Sequence, residues 1–228
     1  MAKIAEITLD MLLDAILPHV VFDGWAPASF QAALDDLKLS QADVQTIAPR
    51  GAIDLAAAYH RRGDALMVSR MEDADLSEMR YSEKVATALR FRIEAMDNRE
   101  AVRRASTLFA LPMHGVEGGK LIWETADHVW NALGDTSQDA NWYTKRATLS
   151  GVWASTVLFW LGDDSVGSAD TYAFIDRRIE DVMRIEKMKA KLRDNPISKP
   201  LMQLQEAFFS KMPAPKDAPD DLPGSVSN

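Results

Sequence analysis

GDTSQDANWYTKRATLSGVWASTVLFWL, residues 134–161, decides how the rest of the chain is read. It opens on turn chemistry: Gly134, then Asp135, Thr136, Ser137 and Asp139, each able to cap a helix N-terminus. From Asn141 onward the spacing predicts one helix. Beyond Arg146 no charged residue occurs through Leu161, so apolar or small side chains lie on every side, as in a helix buried in an interior. The run is too short to span a bilayer, which takes roughly 20 apolar residues. Trp142, Arg146, Leu149, Trp153, Thr156 and Trp160 recur at alternating spacings of four and three and share one stripe. That stripe fits ordinary core. It also fits the wall of a cavity for a long apolar ligand, because rings of that size fill space only when something packs against them.

The surrounding composition bounds the classes. With 228 residues, the chain is one large domain or one domain with appendages. Hydrophobic content of 47% and charged content of 26% are those of a globular protein. The absence of cysteine excludes disulfides, thiolate metal sites and a cysteine nucleophile. A net charge of −8 opposes general affinity for nucleic acid or anionic lipid. The N-terminal MAKIAEITLD has neither an apolar signal core nor an arginine-rich leader, which leads to the expectation of a cytoplasmic location.

Helical periods, punctuated by glycine and proline, fill the chain. They predict an all-α fold, with helices over 4–21, 27–37, 41–48, 52–62, 64–96 (one or two), 97–110, 117–133, 141–161 and 169–193. Asp97 with Glu100 reads as a capping box, and Asp163-Asp164 as helix-capping turn residues. Tyr172, Ile175, Ile179, Val182 and Ile185 form a stripe suited to a bundle or a two-fold interface. Past Asp194-Asn195-Pro196, a separate amphipathic helix is expected over 196–212, with Ile197, Leu201, Leu204, Phe208 and Phe209 as its apolar face. It is suited to a membrane surface, to its own domain or to a partner. The tail 213–228, rich in Pro, Asp and Ser, is expected to be disordered. The expected division is thus 1–62, 63–195, 196–212 and 213–228.

The first part, with its Phe-Asp-Gly-Trp turn, Phe30, Ala33, Ser40, Pro49 and Gly51, resembles the N-terminal helix-turn-helix of TetR-type repressors. Its charge opposes DNA. Lys3, Lys38 and Arg50 face Glu6, Asp10, Asp14, Asp23, Asp35, Asp36, Asp43 and Asp54, and the segment 41–48 has no basic residue. A degenerate motif without a nucleic-acid partner is expected; the alternative is a TetR-type ligand-responsive transcriptional regulator. The one basic-leaning segment holds Arg80, Lys84, Arg90, Arg92, Arg99, Arg103 and Arg104, and reads as a solvated helix face.

No catalytic constellation emerges. The histidines at 19, 60, 114 and 128 are scattered, and no Gly-rich phosphate loop or nucleophile elbow is present. Glu124 and His128 read as a surface ion pair, since a di-iron bundle needs Glu-x-x-His twice. The expectation is a binding protein, with no catalytic residue, metal or cofactor.

The stretch GDTSQDANWYTKRATLSGVWASTVLFWLGDDS, followed by TYAFIDRRIEDVM, resembles the signature of a ubiquinone-biosynthesis accessory lipid-binding protein family, the ninth-numbered coenzyme Q biosynthesis protein. The likeness rests on Gly134-Asp135, Ser137, Asp139, Asn141 to Thr144, Arg146-Ala147, Leu149, Gly151, Asp164-Ser165, Thr171, Phe174, Arg178-Ile179, Asp181 and Met183; Lys145 stands where arginine is expected. The resemblance implies a TetR-like homodimer that binds isoprenoid lipid or quinone intermediates. It would present them to the di-iron demethoxyubiquinone hydroxylase, peripheral to the inner membrane, on the matrix side in a eukaryote. It implies a partner patch at Asp127, Trp130, Asp139, Asn141, Trp142, Tyr143 and Arg146, with Trp142 partly exposed. Lipid-lining positions are expected at Leu108, Phe109, Leu111, Trp123, Leu149, Trp153 and Trp160.

Overall fold

A computed structural model describes residues 7–137 and 140–193, and every regular element among them is helical. The chain begins with α1 (Leu9–Asp23), capped by Thr8, whose hydroxyl accepts from the Met11 amide at 3.2 Å. Next come α2 (Pro27–Leu37), which places proline at the first helical position, and the short α3 (Gln41–Val44), opened by a Ser40/Asp43 capping box. Then follow α4 (Ala52–Asp73), α5 (Tyr81–Glu94), α6 (Arg99–Ala110), α7 (Gly115–Ala132), α8 (Ala140–Leu161) and α9 (Ala169–Arg193). The expected amphipathic helix over 196–212 and the tail lie outside the described residues.

Several boundaries differ from expectation. One continuous helix, α4, runs across the division placed between residues 62 and 63. α3 ends at Val44, not Ala48. The cap of α6 is Asn98, whose side chain accepts from the Ala101 amide at 2.9 Å; Asp97 instead accepts from the Tyr59 hydroxyl at 2.8 Å.

α1 packs on α2, α4 and α6 around Leu12, Leu13, Ile16 and Val20, all fully buried. The Trp25 indole donates to the Ala101 carbonyl at 3.0 Å and fastens the first turn to α6. Beyond this, α4, α5, α7, α8 and α9 form a bundle in which α4 touches both α5 and α7, and α9 closes on α5 and α8. Of the α9 stripe, Ile175 and Ile179 are buried within the chain, while Ile185 at its end is exposed. Two close approaches need glycine. A Cβ on Gly118 would lie 2.8 Å from the Phe109 Cβ, so α6 and α7 meet there backbone to backbone. A Cβ on Gly63 would collide with the Arg92 guanidinium.

At the α8–α9 turn, Asp163 accepts from the Ser165 amide at 2.8 Å and the Thr171 amide at 2.9 Å. Burial alone would raise its carboxyl, but these bonds and the Thr171 hydroxyl hold it well below the usual carboxylate range. Arg99 crosses from α6 to donate to the Asp163 carbonyl and lies 4.7 Å over the Trp160 ring.

Candidate functional site

The six residues of the α8 stripe, Trp142, Arg146, Leu149, Trp153, Thr156 and Trp160, are all buried. Between α4, α5, α6, α7 and α8 the Trp153 ring borders a cavity of about 410 Å³. That lies within the range of small-molecule sites. Small residues line much of the cavity, Ala56, Ala105, Gly115, Gly119 and Ala154 among them, and a Cβ on Gly115 or Gly119 would meet nothing. Of the seven positions expected to line a lipid site, Phe109 and Trp153 border this cavity. Leu149 borders a second one, described below. Trp160 is buried beneath Arg99, Leu108 packs on the core, Leu111 is exposed beside the α6–α7 turn, and Trp123 packs at a tilt against Trp142 with ring centroids 5.8 Å apart.

Polar groups gather on one side of the main cavity. Arg92 is 2% exposed; its Nε donates to Asp64 Oδ1 at 2.6 Å and its Nη2 to the His60 carbonyl at 2.8 Å. Thr125 donates to the same Asp64 oxygen at 2.9 Å. His60 Nε2 lies 3.0 Å from the Leu121 carbonyl and 2.9 Å from Thr125 Oγ1, which identifies Nε2 as the protonated nitrogen. Burial, reinforced by the Arg92 charge, pushes the His60 imidazole down to about 4, so it is neutral at pH 7. His60 and Arg92 both line the cavity. Nothing in the order of the basic residues 80–104 distinguished Arg92, which had been grouped with a solvated face. It is the partner of a fully buried carboxylate. Its neighbours there are spoken for at the surface: Arg90 pairs with Asp176, and Arg103 and Arg104 with Glu100.

The corner where α7 meets α8 carries the second cluster. Arg146, fully buried, donates from Nε to Asp127 Oδ1 at 2.6 Å, from Nη1 to Asp135 Oδ2 at 3.1 Å and from Nη2 to Asn131 Oδ1 at 3.2 Å. The Trp142 ring lies 3.9 Å from the guanidinium carbon. Lys145 donates to Asp135 Oδ1 at 2.7 Å and sits over the Trp130 ring at 5.5 Å. Burial alone would raise the Asp135 carboxyl; hydrogen bonds from Lys145, Ser137 and Arg146 outweigh it and hold it down to about 2.

The structure therefore brings Asp127, Trp130, Asn141, Trp142, Tyr143 and Arg146 to one corner; Asp139 lies outside the described residues. Trp142 was expected to be partly exposed, and it is 6% exposed, covered by Trp123, Tyr143 and Arg146. Its cover comes from α7 and from its own neighbours, which helical spacing in α8 does not disclose. Beside this corner a second cavity of about 310 Å³ opens between Tyr81, Trp130, Thr144, Lys145, Leu149 and Val182. The Trp130 Nε1 there is buried and has no hydrogen-bond partner among the described residues.

One smaller expectation changes. Glu124 and His128 do not pair: the Glu124 carboxylate binds Arg61 at 3.0 Å, and His128 Nδ1 donates to the Glu124 carbonyl at 2.7 Å. In the helix-turn-helix region, Arg50 is engaged by Asp54 and by Glu117 of α7, and Asp43 stays exposed. The proposed membrane residues Ile197, Leu201, Leu204, Phe208 and Phe209 lie outside the described residues, among which no helix is long and apolar enough to cross a membrane. Among them, too, no group of three His, Asp or Glu side chains is placed to hold a metal ion.

Residues 116–186, which span nearly all of α7, all of α8 and most of α9, match the COQ9 family model. The chain is 27% identical over 187 residues to the probable ubiquinone biosynthesis protein coq9, mitochondrial, of Dictyostelium discoideum, covering 78% of this chain and 60% of that one. It is 29% identical over 183 residues to the ubiquinone biosynthesis protein COQ9, mitochondrial, of Rattus norvegicus (76% and 58% covered). The Homo sapiens protein of that name is 27% identical over 182 residues (76% and 57%). The chain thus spans less than two-thirds of the length of these relatives. A TetR transcriptional regulator from Nitrosomonas europaea matches in structure with a TM-score of 0.63 at 18% identity, covering 75% of this chain and 95% of that one. Residues 116–186 are thus similar to the COQ9 family, and the chain is folded as an all-helical body like that of a TetR regulator.

Proposed function

We propose that this protein is a non-catalytic lipid-binding accessory protein of ubiquinone biosynthesis. It takes an isoprenoid quinone intermediate into the main cavity and presents it to the di-iron demethoxyubiquinone hydroxylase. The observation that carries this reading is the cavity itself. It is lined mainly by apolar side chains, with small residues on α4, α6, α7 and α8 among them. Such a lining competes with the bilayer for a hydrocarbon tail, since each buried methylene is worth about 0.8 kcal/mol against water. The names of the relatives point the same way.

The second cavity supports the partner role. Trp130 and the exposed Thr144 both line it, so it is a recess open to a side chain from outside the chain. In this reading the protein is a homodimer through α8 and α9, as the TetR-type fold favours. It works at a membrane surface through residues 196–212, on the matrix side in a eukaryote.

The test is native mass spectrometry of the protein as purified, followed by Ala154→Trp, which fills the cavity from α8. Co-purified prenyl lipid that disappears in the variant is the expected result. Equal lipid loading in both would remove the cavity from the account. For the partner corner, Trp130→Phe and Thr144→Arg should reduce capture of the hydroxylase without changing lipid loading; unchanged capture by both would reject that surface.

A further inference from the structure

The main cavity has two unlike ends. Ala110, Gly115, Gly119 and Leu158 line it and reach solvent, so its mouth lies between the α6–α7 turn and α8. Leu158 is 68% exposed, and the neighbouring Met113 and Val116 are more exposed still, giving the mouth a greasy rim. Ala56, Gly63, Arg92, Leu121 and Trp153 also line it and are buried, so they form the floor.

Arg92 is the one charged side chain at that floor; the other titratable groups in the lining, His60 and Tyr59, are neutral at pH 7. Two of its three nitrogens are committed, Nε to Asp64 and Nη2 to the His60 carbonyl. Nη1 makes no hydrogen bond to any described residue, and Trp153 packs against the guanidinium at 5.2 Å. Gly63 is required beneath it, because any side chain there would displace it. The guanidinium is therefore held in place with one donor group to spare.

The charge at the floor defines what that donor accepts. Asp64, 0% exposed, already balances Arg92. A carboxylate or phosphate arriving there would leave the buried cluster net negative, a costly state in a medium of low dielectric. A neutral carbonyl oxygen satisfies Nη1 and adds no charge. A pure hydrocarbon would cover Nη1 and give it no acceptor, at a desolvation cost.

Resting on the reading that this cavity holds an apolar-tailed molecule, we propose that Arg92 Nη1 is the head-group donor of the site. It binds a neutral carbonyl oxygen, so that the ligand lies head-down with its tail toward Leu158. The tail then leaves first when the ligand is handed on.

The test uses three ligands with the same decyl tail, delivered from cyclodextrin to the full chain: decylbenzoquinone, decylbenzene and decylbenzoate. The quinone should bind roughly tenfold or more tightly than decylbenzene, the range of a hydrogen bond from a charged donor, and the anion should gain nothing over the hydrocarbon. In the paired variant Asp64→Asn with Arg92→Met, which removes both charges together, the quinone and decylbenzene should bind alike. A quinone preference that survives in this variant overturns the assignment, as does tighter binding of the benzoate. A measurement on the unaltered protein stands beside it: the infrared carbonyl stretch of bound quinone should fall below its value in hexane, and an unshifted band overturns the proposal. The cavity reading fails separately. If quinone and hydrocarbon bind equally and Ala154→Trp abolishes both, the cavity stands and Arg92 is not its head-group donor. If Ala154→Trp changes neither, both readings fall.

Discussion

Arg146→Met is the change that best separates positioning from recognition in the α7–α8 corner. A surface role for Arg146 would leave the fold intact and weaken only partner capture. The structure gives it a different position: fully buried, with three hydrogen-bonded partners on two segments and the Trp142 ring 3.9 Å away. Removing one member of a buried ion pair costs about 3–5 kcal/mol, because the other charge is left uncompensated. Asp135 keeps its bond from Lys145, and Asp127 is partly exposed, so both can be resolvated in part. The lower end of that range, about 3 kcal/mol, is therefore expected. For a domain of this size each kcal/mol moves the melting temperature by about 2–4 °C, giving a fall of about 6–12 °C. Thermal unfolding followed by far-UV circular dichroism at pH 7 reads this directly. A melting temperature within about 2 °C of the parent protein, together with lost hydroxylase capture, would refute the positioning role and restore direct contact.

Further outcomes follow from other residues. His60 has a folded pKa of about 4 against an ordinary value of 6.5, so the unfolded chain binds its proton first. Its contribution, about 3 kcal/mol, is present above pH 6.5 and is lost as pH falls from there toward 4; His60→Gln should flatten that limb of a urea-stability profile. Asp135, held at about 2 against 3.8, acts in a lower window, with about 2 kcal/mol present above pH 3.8 and lost as pH falls through 2. Asp135→Asn should make the acid limb below pH 4 shallower, while a limb of unchanged slope would deny the carboxylate its role. Gly118→Ala forces a methyl group against the Phe109 backbone and should cost about 1–3 kcal/mol in chemical denaturation, despite alanine's better helix propensity. A stabilised variant would mean that α6 and α7 do not approach so closely.

The sequence revealed the helices better than what they surround. The bounds of α2, the start of α9, the proline at the start of α2 and the buried stripe of α8 were all legible, since each depends on local spacing and capping. The lining was legible only in part. A void is made by side chains that are missing, so Gly115 and Gly119 on α7, where an added Cβ would meet nothing, were its signal. Leu108, Leu111, Trp123 and Trp160 have the right chemistry, but the neighbour above each one decides whether it meets cavity, core or solvent. Arg92 could not be told from Arg90 two residues earlier, because only the placement of Asp64 on α4 turns one inward.

The two charge clusters also explain how a helical bundle keeps so large a space open. An unfilled apolar space costs its lining the contacts that a packed core supplies. An apolar lining gives water few hydrogen-bonding partners, so filling it with water recovers little of that cost. The helices would gain by closing on it, and the polar contacts oppose closure. Asp64 and Arg92 join α4 to α5, Thr125 brings in α7, and Arg50 ties the start of α4 to Glu117 at the other end of α7. On the adjoining face of α7, Asp127 and Asn131 hold Arg146 of α8. α7 is thus pinned along its length by buried or bridged charges whose geometry collapse would break. Polar bonds that hold apart an apolar space of this size support the proposed reading, in which an apolar molecule fills it.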